Sequence, residues 1–176
     1  NRAPAAAPPL ALAIAGGGGL IGGALQASLA EAGWQLRRLV RRPARTADEI
    51  AWDPAPGQLD PAALAGLGAV IHLGGASIAA GRWTPARKRE LRASRLASTG
   101  LLAKTLATME RPPRVFLCAS AIGIYGDAGD SAVDESSPPG RGFLAELARD
   151  WEAACAPAGE AGLRVVHLRI GTVLAR

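Results

Sequence analysis

Cysteine, histidine and aromatic residues are scarce in this sequence of 176 residues, which holds two cysteines, two histidines and a single tyrosine. Cys118 and Cys155 lie far apart, in a spacing that matches no metal motif and no disulfide framework, so we expect no metal site. His72 and His167 each end an apolar run. We expect both to be histidines whose ring nitrogens are hydrogen-bonded within the fold, rather than catalytic groups.

Long hydrophobic runs are absent too, since no stretch approaches the roughly 18 apolar residues of a membrane span, and we expect no membrane association. Apolar residues nonetheless make up 49% and charged residues 20%, which is typical of one globular domain. The net charge of +5 comes almost entirely from arginine. A nucleic-acid surface is one interpretation. No aromatic residues interleave the arginines as stacking platforms, however, and the enrichment of Ala, Arg, Gly and Pro together is typical of a GC-rich genome, so we expect no nucleic-acid partner.

Short apolar stretches alternate with longer helical patterns from residue 10 onward. This alternation predicts an α/β fold: a doubly wound, mostly parallel Rossmann sheet with helices on both faces. The predicted strands are residues 10–15, 35–40, a short one around Ile50 and Trp52, 69–73, 114–120 and 163–170. The predicted helices are residues 20–32, 85–109 and 142–156. Thr84 and Pro85 form an N-terminal cap for the long helix, and Gly33 ends the first.

Residues 1–9, rich in proline and alanine, predict a flexible tail before a single domain at residues 10–176. The tail is either a cloning remnant or the stub of a removed targeting segment. We therefore expect a cytoplasmic protein, or one of an organelle matrix or stroma if the stub is real.

The strongest motif is a glycine-rich loop with the spacing G-x-x-G-x-x-G between the first predicted strand and helix. Gly16 lets the chain turn sharply, Gly19 lets backbone N–H groups approach a pyrophosphate, and Gly22 lets the helix pack against the sheet. The helix N-terminus then offers unpaired N–H groups to the anion, with Leu20 and Ile21 beside it. A plain turn is the alternative, but the flanking strand and helix predict dinucleotide binding.

The end of the second predicted strand indicates which dinucleotide binds. An NAD-specific site has an acid about 20 residues after the first glycines, which bonds the ribose 2′-hydroxyl. Residues 36–43 contain no acid, and Arg41 and Arg42 stand in its place. A guanidinium can hold a 2′-phosphate by a bidentate, charge-assisted contact. A solvated basic loop is the alternative, but beside the glycine motif the two arginines favour NADP(H) over NAD(H).

Further short stretches, such as Ala-Ser-Ala-Ile-Gly-Ile-Tyr-Gly-Asp at residues 119–127, follow one another along nearly the whole chain. They are residues 15–22, 41–43, 52–53, 72–76, 82–84, 94–95, 119–127, 134–139, 150–152 and 168–174. In this order they resemble the extended short-chain dehydrogenase/reductases, and within them the atypical branch called epimerase-family proteins.

The resemblance implies further cofactor residues. Leu73, Gly74 and Gly75 would line the adenine-ribose side of the cofactor, after the fourth strand. Glu90 and Arg95 match positions near the cofactor on the long helix. For these two the alternative is a solvated helix face, because the helix carries a stripe of basic residues.

The resemblance also implies that Ser120 is the active-site serine after the fifth strand. Ordinary members of the superfamily add a tyrosine and, four residues later, a lysine. Residues 143–150 contain neither, and the single tyrosine, Tyr125, is followed four residues later by Gly129. Two hypotheses therefore stay open. In the first, the protein is an NADP(H)-dependent oxidoreductase or epimerase of unknown substrate, in which Ser120 orients the substrate and Tyr125, Asp127 or a water supplies the proton. In the second, it is a non-catalytic NADP(H)-binding structural or regulatory subunit of a larger complex.

Proteins of the resembled branch are longer and end in a substrate-binding part, most of which this chain lacks. We therefore expect no turnover of the unknown small-molecule substrate by this chain alone. We also expect apolar surface around Val173 and Leu174, which invites a protein partner or self-association.

Overall fold

The computed structural model describes residues 11–174, so the predicted tail and the first residue of the first predicted strand lie outside the described residues. The strands are β1 (Ala11–Ala15), β2 (Gln35–Val40), β3 (Glu49–Ala51), β4 (Ala69–His72), β5 (Val115–Ala121) and β6 (Arg164–Ile170). The helices are α1 (Leu20–Glu31), α2 (Pro85–Ala107), α3 (Phe143–Ala153) and α4 (Ala156–Glu160). Two 3₁₀ turns lie at Pro61–Leu64 and Ile122–Tyr125.

The strands form one sheet in the order β3-β2-β1-β4-β5-β6, and every neighbouring pair is parallel. This confirms the doubly wound Rossmann prediction. The strand order reverses between β1 and β4, and sheets of this kind bind ligands in the crevice at the carboxyl ends of the strands at such a point.

Apolar residues are buried on both faces of the sheet. On one face Phe116 packs with Leu102 of α2 and Trp151 of α3, in the larger of two clusters. On the other face Leu12 and Ile14 of β1 pack against leucines of α1. Helices therefore cover both faces, as predicted, and the central strands are near-continuous apolar runs because neither side meets water.

The predicted helix signals act as expected. Gly33 adopts a φ of 79° directly after α1, a conformation that glycine reaches without steric cost. Thr84 caps α2 by accepting a hydrogen bond from the backbone N–H of Arg87 at 3.2 Å, with Pro85 in the first position.

Two predicted elements differ from the structure. The helix predicted at residues 142–156 is α3, which ends at Ala153, and a separate helix α4 that was not predicted follows from Ala156, because Pro157 has no N–H with which to continue α3. Strand β3 ends at Ala51, one residue before Trp52. The backbone N–H of Trp52 still bonds to the carbonyl of Val40 at 3.0 Å, which holds the indole at the edge of the crevice.

Candidate functional site

Two glycines of the loop after β1 are required by the fold itself. Gly16 has a φ of 86°, and a Cβ there would lie 2.7 Å from the backbone N of Gly74. A Cβ on Gly22 would lie 2.3 Å from the carbonyl oxygen of Gly16. Gly22 therefore lets α1 pack against the loop, and not against the sheet as the motif predicted.

Gly19 has no such internal reason to be glycine. Its φ of −83° suits any residue, and a Cβ there would meet only the carbonyl oxygen of Gly16, at an ordinary 3.5 Å. It precedes the first turn of α1, whose N–H groups have no intrahelical partners and whose side chains include no acid. Leu20 is about half exposed and Ile21 partly buried at this end of the helix. The space beside Gly19 is open to a ligand, as an anion at the helix N-terminus requires.

A cleft of about 820 Å³ opens beside this loop, at the point where the strand order reverses. Its walls include five of the predicted cofactor residues: Gly16, Arg41, Gly74, Gly75 and Glu90. A smaller recess of about 420 Å³ adjoins it beyond the end of β2. The cleft therefore joins four predicted segments that are far apart in the sequence: the glycine loop, the end of β2, the end of β4 and α2.

Arg41 and Arg42 have different environments although they are adjacent. Both terminal nitrogens of Arg42 donate to the carboxylate of Glu49 at 2.7 Å, and the backbone N–H of Arg45 donates to the same carboxylate. The hydrogen bond from Arg42 is the main reason that the pKa of Glu49 falls to about 2. Arg41 is exposed, borders both the cleft and the recess, and has no acidic partner within residues 11–174. Of the two, Arg41 is the arginine whose charge no carboxylate of residues 11–174 pairs.

Trp52 and Asp53 also line the cleft and the recess, although the sequence assigned them no role. The Trp52 indole meets the His72 ring edge to face, with 6.0 Å between ring centres. Asp53 accepts a hydrogen bond from the backbone N–H of Ala55 at 3.0 Å, which holds its carboxylate at the rim. Their place in the Trp-Asp stretch at residues 52–53 was the one available signal, since only the fold brings them to the same cleft as the glycine loop.

His72 is buried and its Nε2 lies 2.9 Å from the Ser98 hydroxyl, while Nδ1 accepts from the Gly74 N–H at 3.4 Å. Burial lowers its pKa to about 4, so the ring is neutral at physiological pH. His72 is thus hydrogen-bonded, as expected. The same expectation is wrong for His167, because its buried Nδ1 has no hydrogen-bond partner among the described residues.

Three predicted cofactor residues, Leu73, Glu90 and Arg95, differ in their surroundings near the cleft. The Leu73 side chain packs into the core and not into the cleft. Glu90 is exposed and pairs with Arg87 at 2.6 Å. Arg95 does not lie on a solvated helix face, because it is only 8% exposed and its guanidinium stacks over the Trp151 ring.

Ser120 and Tyr125 lie outside the cleft walls and are joined by a chain of hydrogen bonds. Ser120 donates to Oε1 of Glu152 at 2.6 Å. Arg169 donates hydrogen bonds to both oxygens of the Glu152 carboxylate, at 2.9 and 3.0 Å. It also donates to the Tyr125 hydroxyl at 2.9 Å. Burial raises the pKa of Glu152, but the bonds from Arg169 and Ser120 outweigh it, and the net shift is downward. Neither Glu152 nor Arg169 was assigned a role from the sequence.

These bonds decide which protons the two candidate catalytic groups can give. The Ser120 proton is committed to the Glu152 carboxylate, so its oxygen can accept a hydrogen bond from a substrate but cannot readily donate one. The Tyr125 oxygen accepts from Arg169, which leaves the phenolic proton free to be donated.

Two further features, a membrane-spanning helix and a cluster of metal ligands, are absent from residues 11–174. No helix there is long and apolar enough to cross a membrane. No group of three or more His, Cys, Asp or Glu side chains is placed to hold a metal ion in the same part of the chain.

Comparison with known proteins gives consistent matches. Residues 12–176 match the family described as the NAD dependent epimerase/dehydratase family. An epimerase family protein of Mycobacterium bovis, Mb2239, is 44% identical over 163 residues, which are 93% of this chain and 54% of that protein. This chain therefore spans about half the length of the curated relatives it matches.

Two solved structures are similar as well. The nucleoside-diphosphate sugar epimerase from Corynebacterium glutamicum has a TM-score of 0.79 and 38% identity, covering 92% of this chain and 33% of that one. Human epimerase family protein SDR39U1, solved with NADPH, has a TM-score of 0.81 and 30% identity, covering 95% of this chain and 55% of that one.

Proposed function

Because the chain belongs to the NAD dependent epimerase/dehydratase family, we propose that its cleft binds a nicotinamide dinucleotide, and that this dinucleotide is NADP(H). The observation that carries the proposal is Arg41. It is an exposed arginine without an acidic partner among the described residues, and it stands at the end of β2 beside the glycine loop. An acid that would bond a ribose 2′-hydroxyl is missing from that strand end.

The residues present fit such a cofactor. The open space at Gly19 and the unpaired N–H groups of α1 suit a pyrophosphate, and Gln26 braces the loop by donating to the carbonyl of Gly17 at 2.7 Å. Trp52 and Asp53 offer an apolar wall and an acceptor on the adenosine side. The structure of the human relative was solved with NADPH, which supports NADP(H) rather than NAD(H) as the proposed cofactor.

The proposed reaction is that of an oxidoreductase or epimerase whose substrate is a small molecule of unknown structure. The nicotinamide ring, when bound, supplies or accepts a hydride. Ser120 orients the substrate by accepting a hydrogen bond, because its own proton is held by Glu152. Tyr125 donates or takes the proton, with Arg169 holding its oxygen in place.

A non-catalytic role is the second candidate, as an NADP(H)-binding structural or regulatory subunit. The observation that favours it is the absence of any tyrosine or lysine from α3, the helix beside Ser120. Absence of NADPH oxidation by this chain alone is expected of both candidates, so a panel of aldehydes, ketones and nucleotide sugars tests this candidate only through a positive result. Turnover of any of them that Tyr125→Phe abolishes would contradict it.

Isothermal titration calorimetry with NADPH and NADH tests the cofactor. We expect the chain to prefer NADPH by about tenfold or more, since a hydrogen bond to a charged group contributes about 1.5–3 kcal/mol. Arg41→Ala should remove this preference. Arg42→Ala is the matched control and should keep it, because Arg42 is bound to Glu49. Equal affinities in the wild type, or an unchanged preference in Arg41→Ala, would contradict the NADP(H) assignment.

A further inference from the structure

The exposed large apolar side chains of residues 11–174 all lie at one edge of the sheet. They belong to the connections that leave the carboxyl ends of β4, β5 and β6 or, for Leu20, to the first residue of α1, which follows β1. Open α/β sheets bind their ligands at the carboxyl ends of the strands. This edge is therefore where the substrate of the proposed reaction is expected to lie, and its apolar side chains are candidates to contact that substrate.

One of these side chains, Trp83, has a fixed position. Its indole N–H donates to the carbonyl of Ile78 at 2.8 Å. Its ring meets Phe143, the first residue of α3, edge to face, with 5.8 Å between ring centres. Trp83 nevertheless remains 42% exposed. An exposed aromatic ring in a fixed orientation can stack on a second ring that a ligand supplies.

Lys88 of α2 adds a positive charge to this aromatic pair. Its ammonium nitrogen lies 5.0 Å from the centre of the Phe143 ring, as in a cation–π contact. The preceding residue, Arg87, forms an ion pair with Glu90. No carboxylate of residues 11–174 lies within salt-bridge distance of Lys88, so an acidic group on a ligand would meet a charge that this part of the chain leaves uncompensated.

The aromatic platform, meaning Trp83, Phe143 and Lys88, adjoins the dinucleotide cleft. Glu90 of α2 lines that cleft, and Lys88 precedes it by two residues, which is about 3 Å along the helix axis. Ala76, in the connection that leads to α2, lines the cleft as well. A ligand on the platform can therefore extend towards a cofactor in the cleft.

The aromatic platform also adjoins the turn that holds Tyr125. Leu144 directly follows Phe143, and a Cβ on Gly123 would lie 3.4 Å from Cβ of Leu144. Gly123 belongs to the 3₁₀ turn that ends at Tyr125, so the first turn of α3 packs against that 3₁₀ turn. A molecule on the platform would thus have the cofactor on one side and the proposed proton donor on the other.

The chemistry of the aromatic platform restricts what it can bind. The Trp83 N–H is taken by the Ile78 carbonyl, so the indole has no free donor for the hydroxyl groups of a sugar. It presents ring surface, beside a positive charge, and an aromatic ring with an acidic group matches both features. Resting on the proposed function, we propose that the platform binds the non-reacting part of the substrate, and that this part is an aromatic ring that carries an acidic group.

Titration with naphthalenesulfonate, followed by ligand-observed NMR, tests this site. The probe combines an aromatic ring system with an anionic group, and naphthol is its uncharged counterpart at neutral pH. We expect Trp83→Ala to weaken binding of naphthalenesulfonate by about fivefold or more, because it removes the stacking surface. Trp83→Phe keeps an aromatic ring and should lose less affinity. Urea unfolding of each variant checks that it is folded under the titration conditions.

The charge of Lys88 is tested separately. Lys88→Met should weaken binding of naphthalenesulfonate by about twofold to fivefold and leave naphthol binding unchanged, since only the sulfonate interacts with the ammonium group. Lys104→Met is the matched control, because Lys104 is the only other lysine of the sequence and is exposed near the end of the same helix. Both probes should bind Lys104→Met as they bind the wild type.

Saturating NADPH distinguishes the aromatic platform from the dinucleotide cleft. We expect the NADPH-loaded chain to bind naphthalenesulfonate at least as tightly as the free chain, because the two ligands would lie side by side. Loss of the probe when NADPH is added would place the probe in the cleft and overturn the assignment.

Equal affinity of the wild type and Trp83→Ala for naphthalenesulfonate, or an equal effect of Lys88→Met on both probes, would also overturn the assignment. A wild-type chain that binds NADPH but not naphthalenesulfonate would overturn it as well, and would leave Trp83 as a contact for another protein surface. That result would still uphold the proposed function. A wild-type chain that does not bind NADPH would instead contradict the proposed function, whatever the probe does.

Discussion

At the scale of single residues, the glycines of one loop are required for different reasons. At Gly16 and Gly22 the Cβ of any side chain would collide with the backbone, at 2.7 and 2.3 Å from its nearest atoms. Gly19 avoids no such collision; it is the N-cap of α1, and the absence of a side chain there leaves the space before the helix N-terminus open to a ligand. The same spacing motif therefore contains both structural and ligand-directed positions.

Gly19→Val is expected to abolish dinucleotide binding while the free energy of unfolding stays close to that of the wild type. Gly22→Ala is the contrasting change and should cost about 1–3 kcal/mol, because the loop must move away from the new methyl group. Circular dichroism, urea unfolding and NADPH titration of both variants check this. Retained NADPH affinity in a folded Gly19→Val protein would show that the loop is only a turn.

His72 should make the stability of the protein depend on pH. The pKa of His72 is about 4 in the fold, whereas an ordinary histidine, as in the unfolded chain, has a pKa of 6.5. Between these two pH values the unfolded chain therefore binds more protons than the native one. Above pH 6.5 the neutral His72 costs the fold nothing. As the pH falls from 6.5 towards 4, the free energy of unfolding should decrease by about 3 kcal/mol for a shift of this size. Urea unfolding at pH 7.5, 5.5 and 4.5 measures the loss.

His72→Asn supplies the comparison, since it removes the titrating ring while His167, whose pKa burial also lowers, stays in both proteins. The variant should be less stable at neutral pH and should show a flatter pH dependence. Parallel pH profiles for the two proteins would refute the role of His72.

At the scale of elements, the candidate catalytic groups are held by contacts among β5, the 3₁₀ turn after it, α3 and β6. Glu152 of α3 accepts from Ser120 of β5 and from Arg169 of β6, and Arg169 reaches Tyr125 in the turn. The carboxylate is 14% and the guanidinium 22% exposed, so the pair is largely out of water. One ion pair thus fixes the relative positions of both candidate catalytic side chains.

Glu152→Gln should lower the free energy of unfolding by about 2 kcal/mol, because it leaves the Arg169 guanidinium without its counter-charge. Ser120→Ala removes a single hydrogen bond and should cost about 1 kcal/mol. Adding Arg169→Met to Glu152→Gln should cost less than the sum of the single changes, since the unpaired charge is then gone. Additive losses in this double-mutant cycle would mean that the two side chains do not stabilise each other.

At the scale of the whole molecule, apolar surface lies beyond the carboxyl ends of β5 and β6. Ile122 is 53%, Val173 47% and Leu174 89% exposed. The sequence predicted exposed apolar surface around the last two, and the structure confirms that they face outward. Within residues 11–174, strand β6 lies at an edge of the sheet and pairs with β5 alone. Such surfaces favour association with another protein surface.

The 176-residue chain is accordingly expected to self-associate as its concentration rises. Replacing Val173 and Leu174 together by serine should lower the average mass measured by light scattering at a given concentration. Ile78→Ser removes a similarly exposed apolar side chain, 44% exposed, from another part of the surface and should change nothing. A wild-type chain that stays monomeric at every concentration, or an equal effect of Ile78→Ser, would contradict this prediction.

The sequence by itself determined the sheet, its helices and the glycine loop. Those features depend on neighbours a few residues apart: an apolar run marks a buried strand, Thr84 and Pro85 start a helix, and Gly33 ends one. The division into α3 and α4 at Pro157 is the exception, and that signal was present in the sequence.

Only the tertiary structure decided what each candidate residue does. Arg41 and Arg42 are equivalent in sequence, and Glu49 on the neighbouring strand β3 forms an ion pair with Arg42 alone of the two. Arg95 belongs to a basic helical stripe, and its burial depends on Trp151, 56 residues away by the numbering of the chain. The physical reason is the same in both cases. A charge is free, paired or buried according to side chains that folding brings from distant segments, and no local pattern records them.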